Sequence, residues 1–432
     1  MDPRIAKAYA DIALDSCLGL REGGKLRVVA EIAHRSLVHA IAEGAWCRGA
    51  AVVRVDWNDT RLSRLFFDNA QDCRFDEVPS YIGRDARCFV DEGFCNLSLV
   101  GDEDPAALDG VNPERLQRQQ RARSMAMKPF RDAVMSNGLA WSVMPVATEA
   151  WGRAVLSAAG RDPGADPEKT LWDVLIPILG LDRPDPAAAI RAHMTELAER
   201  ARLLGQARFS EIHFSGPGTD LFVGLSPLSR WTGGASTSRA GQTFYANHPT
   251  EEVFSSPDAR LTRGRAACTR PVKVLGETVE GAWFEFRDGR VVASGAAKGA
   301  GVLARYLEVD EGSSRLGEVA LVDSTGPIWK SGLVFDNGLI DENATCHIAL
   351  GSAYTEVFEG ALGMDAGQLS CGQGGVGIGG VHHASVRGPS GHAGRARLVR
   401  QALGKTARQR HDVHLDRAFV FRGKGEPTTV RR

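Results

Sequence analysis

Lys25-Leu26-Arg27-Val28-Val29-Ala30 is a short apolar run of strand character. Ser36 to Arg48 follows with helical periodicity and stops at Gly49, and Ala50-Ala51-Val52-Val53-Arg54-Val55 is a second apolar run. Strand, helix and strand in so short a span form a βαβ unit, which predicts a parallel sheet. Asn96-Leu97-Ser98-Leu99-Val100 and Trp141-Ser142-Val143-Met144 read as later strands of the same sheet, with a basic, polar helix from Pro113 to Met127 between them. Upstream, Ile5, Ala8, Tyr9, Ile12 and Ala13 recur at helical steps and predict a helix over residues 4 to 20. The turn after the first strand is Glu31-Ile32-Ala33-His34. It lacks the glycines that let a backbone approach a pyrophosphate, so nucleotide binding is not expected. His34 and His39 read as packing or helix-surface residues.

Two breaker-rich stretches, Gly160 to Pro167 and Gly180 to Pro186, flank a short helical excursion. A long helix is expected from about Ala187 to Leu204, and a domain boundary is placed there. The pattern then changes to short strand-like pieces: Glu211-Ile212-His213-Phe214, Asp220-Leu221-Phe222-Val223 and Trp283-Phe284-Glu285-Phe286. Arg287-Asp288-Gly289-Arg290 reads as a tight hairpin, its Asp-Gly pair supplying positive φ. A helix is expected over Ala296 to Tyr306. The second half is thus a mainly β domain with a few helices.

Net charge is −1, which gives no global attraction for nucleic acid or an anionic membrane. No apolar run approaches the length of a membrane span. The opening Met1-Asp2-Pro3-Arg4 lacks the basic-then-apolar order of a secretory signal, so the cytoplasm is expected. The eight cysteines form no CxxC pair and no zinc-knuckle spacing, as free thiols in a reducing compartment would. Cys346 stands out only because it adjoins His347.

The chemistry concentrates between Asn247 and His347. Glu252 follows Pro249-Thr250-Glu251 and precedes apolar Val253-Phe254; Glu318 sits after Gly317 at an expected turn into Val319-Ala320-Leu321-Val322; His347 begins Ile348-Ala349-Leu350, with Tyr354 just beyond. Taken singly, a glutamate at a strand start is usually solvated and a histidine or tyrosine usually packs. Together, carboxylates and an imidazole at strand ends are the ligand types of a hydrolytic divalent-metal site.

Four motifs then occur in order: Gly218-Thr219-Asp220-Leu221, Asn247 through Pro257, Arg315-Leu316-Gly317-Glu318, and Asp341-Glu342-Asn343 with His347-Ile348-Ala349-Leu350-Gly351. By these the chain resembles the thermophilic-type metalloaminopeptidases, the aminopeptidase T/aminopeptidase S family, over roughly residues 1 to 365. The resemblance implies an α/β N-terminal domain with a parallel sheet, taken here as 1–204, and a mainly β (α+β) catalytic metal-binding domain, 205–366; the atypical basic segment 367–432 completes or replaces the end of the catalytic domain. The resemblance also implies a cytoplasmic exopeptidase acting on peptides, two divalent ions such as zinc or cobalt, and a homodimer. Glu252, Glu318 and His347 would be metal ligands, with Glu251 second to Glu252. Glu318 and Tyr354 would be catalytic, the tyrosine stabilising the tetrahedral intermediate.

The family closes its site with His-x-Asp-x-Met-Ile-Gly. The aligned segment here is His382-His383-Ala384-Ser385-Val386-Arg387-Gly388, with alanine at the aspartate position. Residues 367 to 432 hold 12 Lys+Arg against 3 Asp+Glu and lack the alternating apolar pattern of final strands. The first account is a diverged or frame-shifted end that impairs the enzyme. The second keeps His382 as a ligand and adds His383 in place of the aspartate. The third takes the pair from His414-Leu415-Asp416. A different class on the same scaffold, a mononuclear iron ring-cleaving dioxygenase, would need two histidines and one carboxylate, such as His347, His382 and one glutamate.

Overall fold

The computed structural model describes residues 2–275, 277–351, 353, 357, 358, 376–378 and 384–387. They fall into two compact units: residues up to 193 with 235–249 form unit one, and 194–234 with the chain from 250 onward form unit two.

Unit one holds the parallel sheet that the βαβ pattern predicts. β1 (Lys25–Glu31), β2 (Val52–Asn58), β3 (Phe94–Val100) and β4 (Trp141–Pro145) lie in the order β2-β1-β3-β4, each pair parallel. The inner strands β1 and β3 are buried along most of their length, whereas the edge strand β2 is largely exposed. Arg27 is buried mid-sheet because Asp56 (2.7 Å) and the Asn96 Oδ1 (2.9 Å) accept from its guanidinium. The order reverses between β1 and β3, where open α/β sheets place ligand crevices. Here His34 spans the two strand ends, accepting from the Glu31 N–H (3.3 Å) and donating to the Gly101 carbonyl (2.9 Å). It is a satisfied packing residue, as expected, and His39 is exposed on the helix Arg35–Cys47. The helices Thr60–Asn69 and Lys128–Met135 are additional to those read from the sequence; both are short, and each buries a single residue, Phe67 and Ala133.

Unit two begins in the helix Pro186–Ala207, close to the expected Ala187–Leu204. β5 (Glu211–Gly216) and β6 (Thr219–Gly224) form a hairpin. The chain then returns to unit one for β7 (Ser236–Thr237) and β8 (Thr243–Phe244). Residues 246–248 run beside β4: the Val143 N–H donates to Ala246 (2.9 Å) and the His248 N–H to Val143 (3.0 Å).

The remaining strands belong to unit two: β9 (Glu252–Ser255), β10 (Arg263–Ala267), β11 (Val272–Val274), β12 (Glu277–Val279), β13 (Trp283–Arg287), β14 (Arg290–Gly295), β15 (Leu316–Val322), β16 (His347–Leu350), β17 (Val376–Ile378) and β18 (Ala384–Arg387). They build an antiparallel six-stranded sheet, β14-β13-β10-β6-β5-β18, an antiparallel four-stranded sheet, β17-β16-β15-β9, and the β11–β12 hairpin. The mainly β expectation holds. At the predicted β13–β14 turn, Asp288 and Gly289 have φ of 48° and 77°. A Cβ on Gly289 would meet the Ala259 carbonyl at 1.8 Å, so glycine is required twice over. The helix expected from Ala296 starts at Ala300, after Gly299 at φ 78°. Two short edge strands, β17 and β18, come from the segment whose sequence lacks strand alternation. Edge pairing rests on backbone hydrogen bonds and needs little side-chain patterning.

Candidate metal centre

The site grows from the register of three neighbouring strands. β15 is flanked by β9 and β16, with Glu252 opposite Val322 and His347 opposite Ala320. Residues 318, 320 and 322 share one face of β15, and cross-strand partners point to that same face. Glu252, Glu318 and His347 therefore project together. Ala320, fully buried between them, adds only a methyl and leaves room for the three longer side chains to converge. Glu318 does not begin a turn, as its preceding glycine suggested. It lies inside β15 beside a bulge between Leu316 and Glu318, and the Ser256 hydroxyl holds the bulge by donating to the Gly317 carbonyl at 2.7 Å.

His347 Nε2 lies 3.0 Å from Glu252 Oε2 and 3.3 Å from Glu318 Oε1. One donor atom from each of the three residues falls within 4.8 Å of the others. Ligands about 2.1 Å from a tetrahedral ion sit roughly 3.4 Å apart, so these spacings suit a shared cation. The alignment suits it too: both His347 Nε2 and Glu252 Oε2 are buried with no hydrogen-bond partner. At 3.0 Å they make an ion pair without hydrogen-bond alignment. His347 Nδ1 faces the Thr345 carbonyl at 3.2 Å; an N–H there leaves the Nε2 lone pair free for a metal.

Charge points the same way. Burial alone would disfavour the His347 imidazolium, but the Glu252 and Glu318 carboxylates overcome this and hold the ring well above the usual histidine range. Burial pushes the Glu318 carboxyl up, helped by Glu252 and opposed by His347. Burial likewise pushes Glu342 up to about 8, with His347 opposing and Glu252, Glu318 and Asp341 adding to the rise. Burial raises Asp341 as well, but its carboxylate is paired, accepting from Arg270 (2.9 Å) and from the Phe335 and Asn337 N–H groups (3.0 and 3.1 Å). Glu252, Glu318 and Glu342 around one imidazole leave the pocket short of positive charge, and a divalent cation supplies what is missing. The residues present fit such an ion.

The structure thus gathers three of the expected ligands. Glu251, the second choice, is outside the group; its carboxylate lies against Gly326, where a Cβ would sit 3.2 Å from Oε2. Tyr354, His382, His383, His414 and Asp416 lie outside the described residues. Ala384 begins β18 and pairs with Phe214 in the six-stranded sheet. Two site residues escaped the sequence reading, Glu342 and Asn343. Both were visible inside the Asp341-Glu342-Asn343 motif, but their roles emerge only from their neighbours in space.

The profile of the thermophilic metalloprotease family, M29, matches residues 3–376. The chain is 38% identical to Aminopeptidase T of Thermus aquaticus over 351 residues, 81% of this chain and 85% of that protein. It is 32% identical to Aminopeptidase PepS of Streptococcus thermophilus over 395 residues, 88% of this chain and 95% of that protein. The solved structure of wild-type AmpT from Thermus thermophilus superposes with a TM-score of 0.79 at 35% identity, covering 89% of this chain and 94% of that one. These relatives give no support to the dioxygenase reading or to an impaired enzyme. The described donors, two carboxylates and one imidazole, are also the reverse of the two-histidine set that iron chemistry would need. A metal-ligand geometry in unit two, a matching fold and a profile spanning most of the sequence agree: the chain belongs to the thermophilic metalloprotease family M29 and is a metallopeptidase.

Proposed function

We propose that the chain is an aminopeptidase that removes the first residue from peptides with a free N-terminus, using two divalent ions of the zinc or cobalt type. The observation that carries this is the convergence of Glu252, Glu318 and His347, with Glu252 Oε2 and His347 Nε2 buried and without hydrogen-bond partners. A divalent cation bound there supplies Lewis acidity, lowering the pKa of a water and polarising the scissile carbonyl. The chain's own part is proton traffic and restriction. Glu318, beside the ion, would take the proton of the attacking water and pass it to the leaving amine. Tyr354 donates to the developing oxyanion, a role carried over from the family resemblance. His382 would join the ligand set on the same basis, and His383 would stand in for the aspartate that Ala384 replaces. A bound cation would also take the substrate's free α-amine, which would confine cleavage to the first peptide bond.

Among the described residues no helix is long and apolar enough to cross a membrane, and the seven described cysteines are unpaired, which suits a reducing compartment. We place the enzyme in the cytoplasm as a homodimer, with no nucleic-acid or membrane partner. The deciding experiment is a metal count on the purified protein paired with hydrolysis of a leucyl anilide. Two zinc-like ions per chain with release of leucine bear the reading out. One iron with oxygen uptake, or no tightly held metal, overturns it.

A further inference from the structure

Asn343 is nearly fully buried, at 1% exposure, and makes two hydrogen bonds in opposite directions. Its Oδ1 accepts from the backbone N–H of Glu251 at 2.7 Å, and its Nδ2 donates to the Leu339 carbonyl at 2.9 Å. The first bond grips the chain one residue before the ligand Glu252, where β9 begins. The second anchors the amide to the helix Gly338–Glu342, which carries Glu342 and leads directly into the strand of His347. One side chain therefore ties the segment delivering a carboxylate to the segment delivering the imidazole. β9 and β16 do not pair with each other; β15 lies between them. The sheet fixes their distance only through that intermediate strand, and the Asn343 bridge is a second, direct constraint at the end of the sheet where the ligands stand.

We propose that Asn343 is a positioning residue for the metal centre, holding Glu252 and His347 at their mutual spacing before any ion binds. This rests on the metal-site reading above. A neutral amide suits the place: it has the acceptor and the donor that the two backbone groups require, and it adds no charge to a pocket already rich in carboxylates.

The test measures cobalt(II) affinity of the metal-free protein, by visible absorption titration, beside the thermal midpoint of the same metal-free samples. Asn343→Leu keeps the number of side-chain heavy atoms and the branch point and removes both bonds; Asn343→Ser is the smaller variant should the first fold poorly; Asn343→Asp keeps the acceptor for the Glu251 N–H. Tyr306→Phe is the control, because it removes a buried hydrogen bond to Leu350 in β16 remote from the donor atoms. We expect about 10- to 100-fold weaker cobalt binding in Asn343→Leu and Asn343→Ser, partial recovery in Asn343→Asp, and parental affinity in Tyr306→Phe. Parental cobalt affinity in both Asn343→Leu and Asn343→Ser overturns the proposal, as does an equal loss in Tyr306→Phe. A parent protein that binds no cobalt, or binds it as well after Glu252→Gln, sinks the underlying site reading instead.

Discussion

Replacing Glu318 by glutamine keeps the side chain's volume and removes its charge and its ability to carry a proton. If Glu318 both ligates and transfers the proton, Glu318→Gln lowers kcat by about 10³-fold or more while circular dichroism stays native. Activity unchanged in that variant would sink the site. His347 gives a contrasting expectation. With the ring replaced in His347→Phe, the pocket keeps Glu252, Glu318 and Glu342 but loses the one nitrogen donor that the described residues bring to it. Metal binding then weakens by about 100-fold or more, read by calorimetric titration with zinc. The two variants separate chemistry from binding. The identities of these residues were open to a reader of the sequence; their shared direction was not, because it depends on cross-strand register. Asn343 is the clearer lesson. Nothing in its local sequence says that its amide reaches a backbone group some ninety positions away, at Glu251.

At the scale of elements, β15 and the β13–β14 hairpin carry separate expectations. Ala320 sits between the proposed ligand side chains on the central strand, so Ala320→Leu forces them apart. That change weakens zinc binding by about tenfold or more, with the fold intact by circular dichroism. At the hairpin, Gly289→Ala demands a positive φ from alanine and drives its methyl into the Ala259 carbonyl. It costs on the order of 3 kcal/mol in urea unfolding and leaves metal affinity at the parental level. These elements also mark what the sequence could convey. β1, β3 and the helix Arg35–Cys47 were legible because continuous apolar runs and a terminal glycine are local signals. The Asp-Gly turn was legible for the same reason. The helices around Phe67 and Ala133 were missed although Leu62, Leu65 and Phe66, and Phe130, Ala133 and Val134, recur at helical steps; their runs are only ten and eight residues long. Nor was the bulge beside Glu318 legible, where the slip in pairing is a property of two strands and not of one.

At the scale of the whole molecule, two solution measurements follow. Chelation with EDTA removes an ion that binds only the native state, so it lowers the thermal midpoint as well as abolishing hydrolysis. The stability lost is on the order of 4 kcal/mol where free metal stood about 1,000-fold above its Kd. Acid acts on unit one. Burial lowers the pKa of His248 to about 4, so the folded state resists a proton that the unfolded chain takes up near its ordinary value of 6.5. Stability is full above that ordinary value and is lost progressively as pH falls from 6.5 to about 4, by on the order of 3 kcal/mol. Urea midpoints measured across that range check it, and His248→Gln should flatten the slope.

His248 belongs to the excursion of residues 235–249, which leaves unit two after β6, docks beside β4 and returns just ahead of Glu252. The excursion makes both units discontinuous in the chain. On the ribosome, the parallel sheet cannot gain its last edge until residue 248 has emerged, by which time β5 and β6 have already been synthesised. Neither unit can therefore mature as an independent vectorial folding step, and neither can be excised as one continuous fragment. The segment that closes the first unit is the leader of the strand that brings the first ligand to the second.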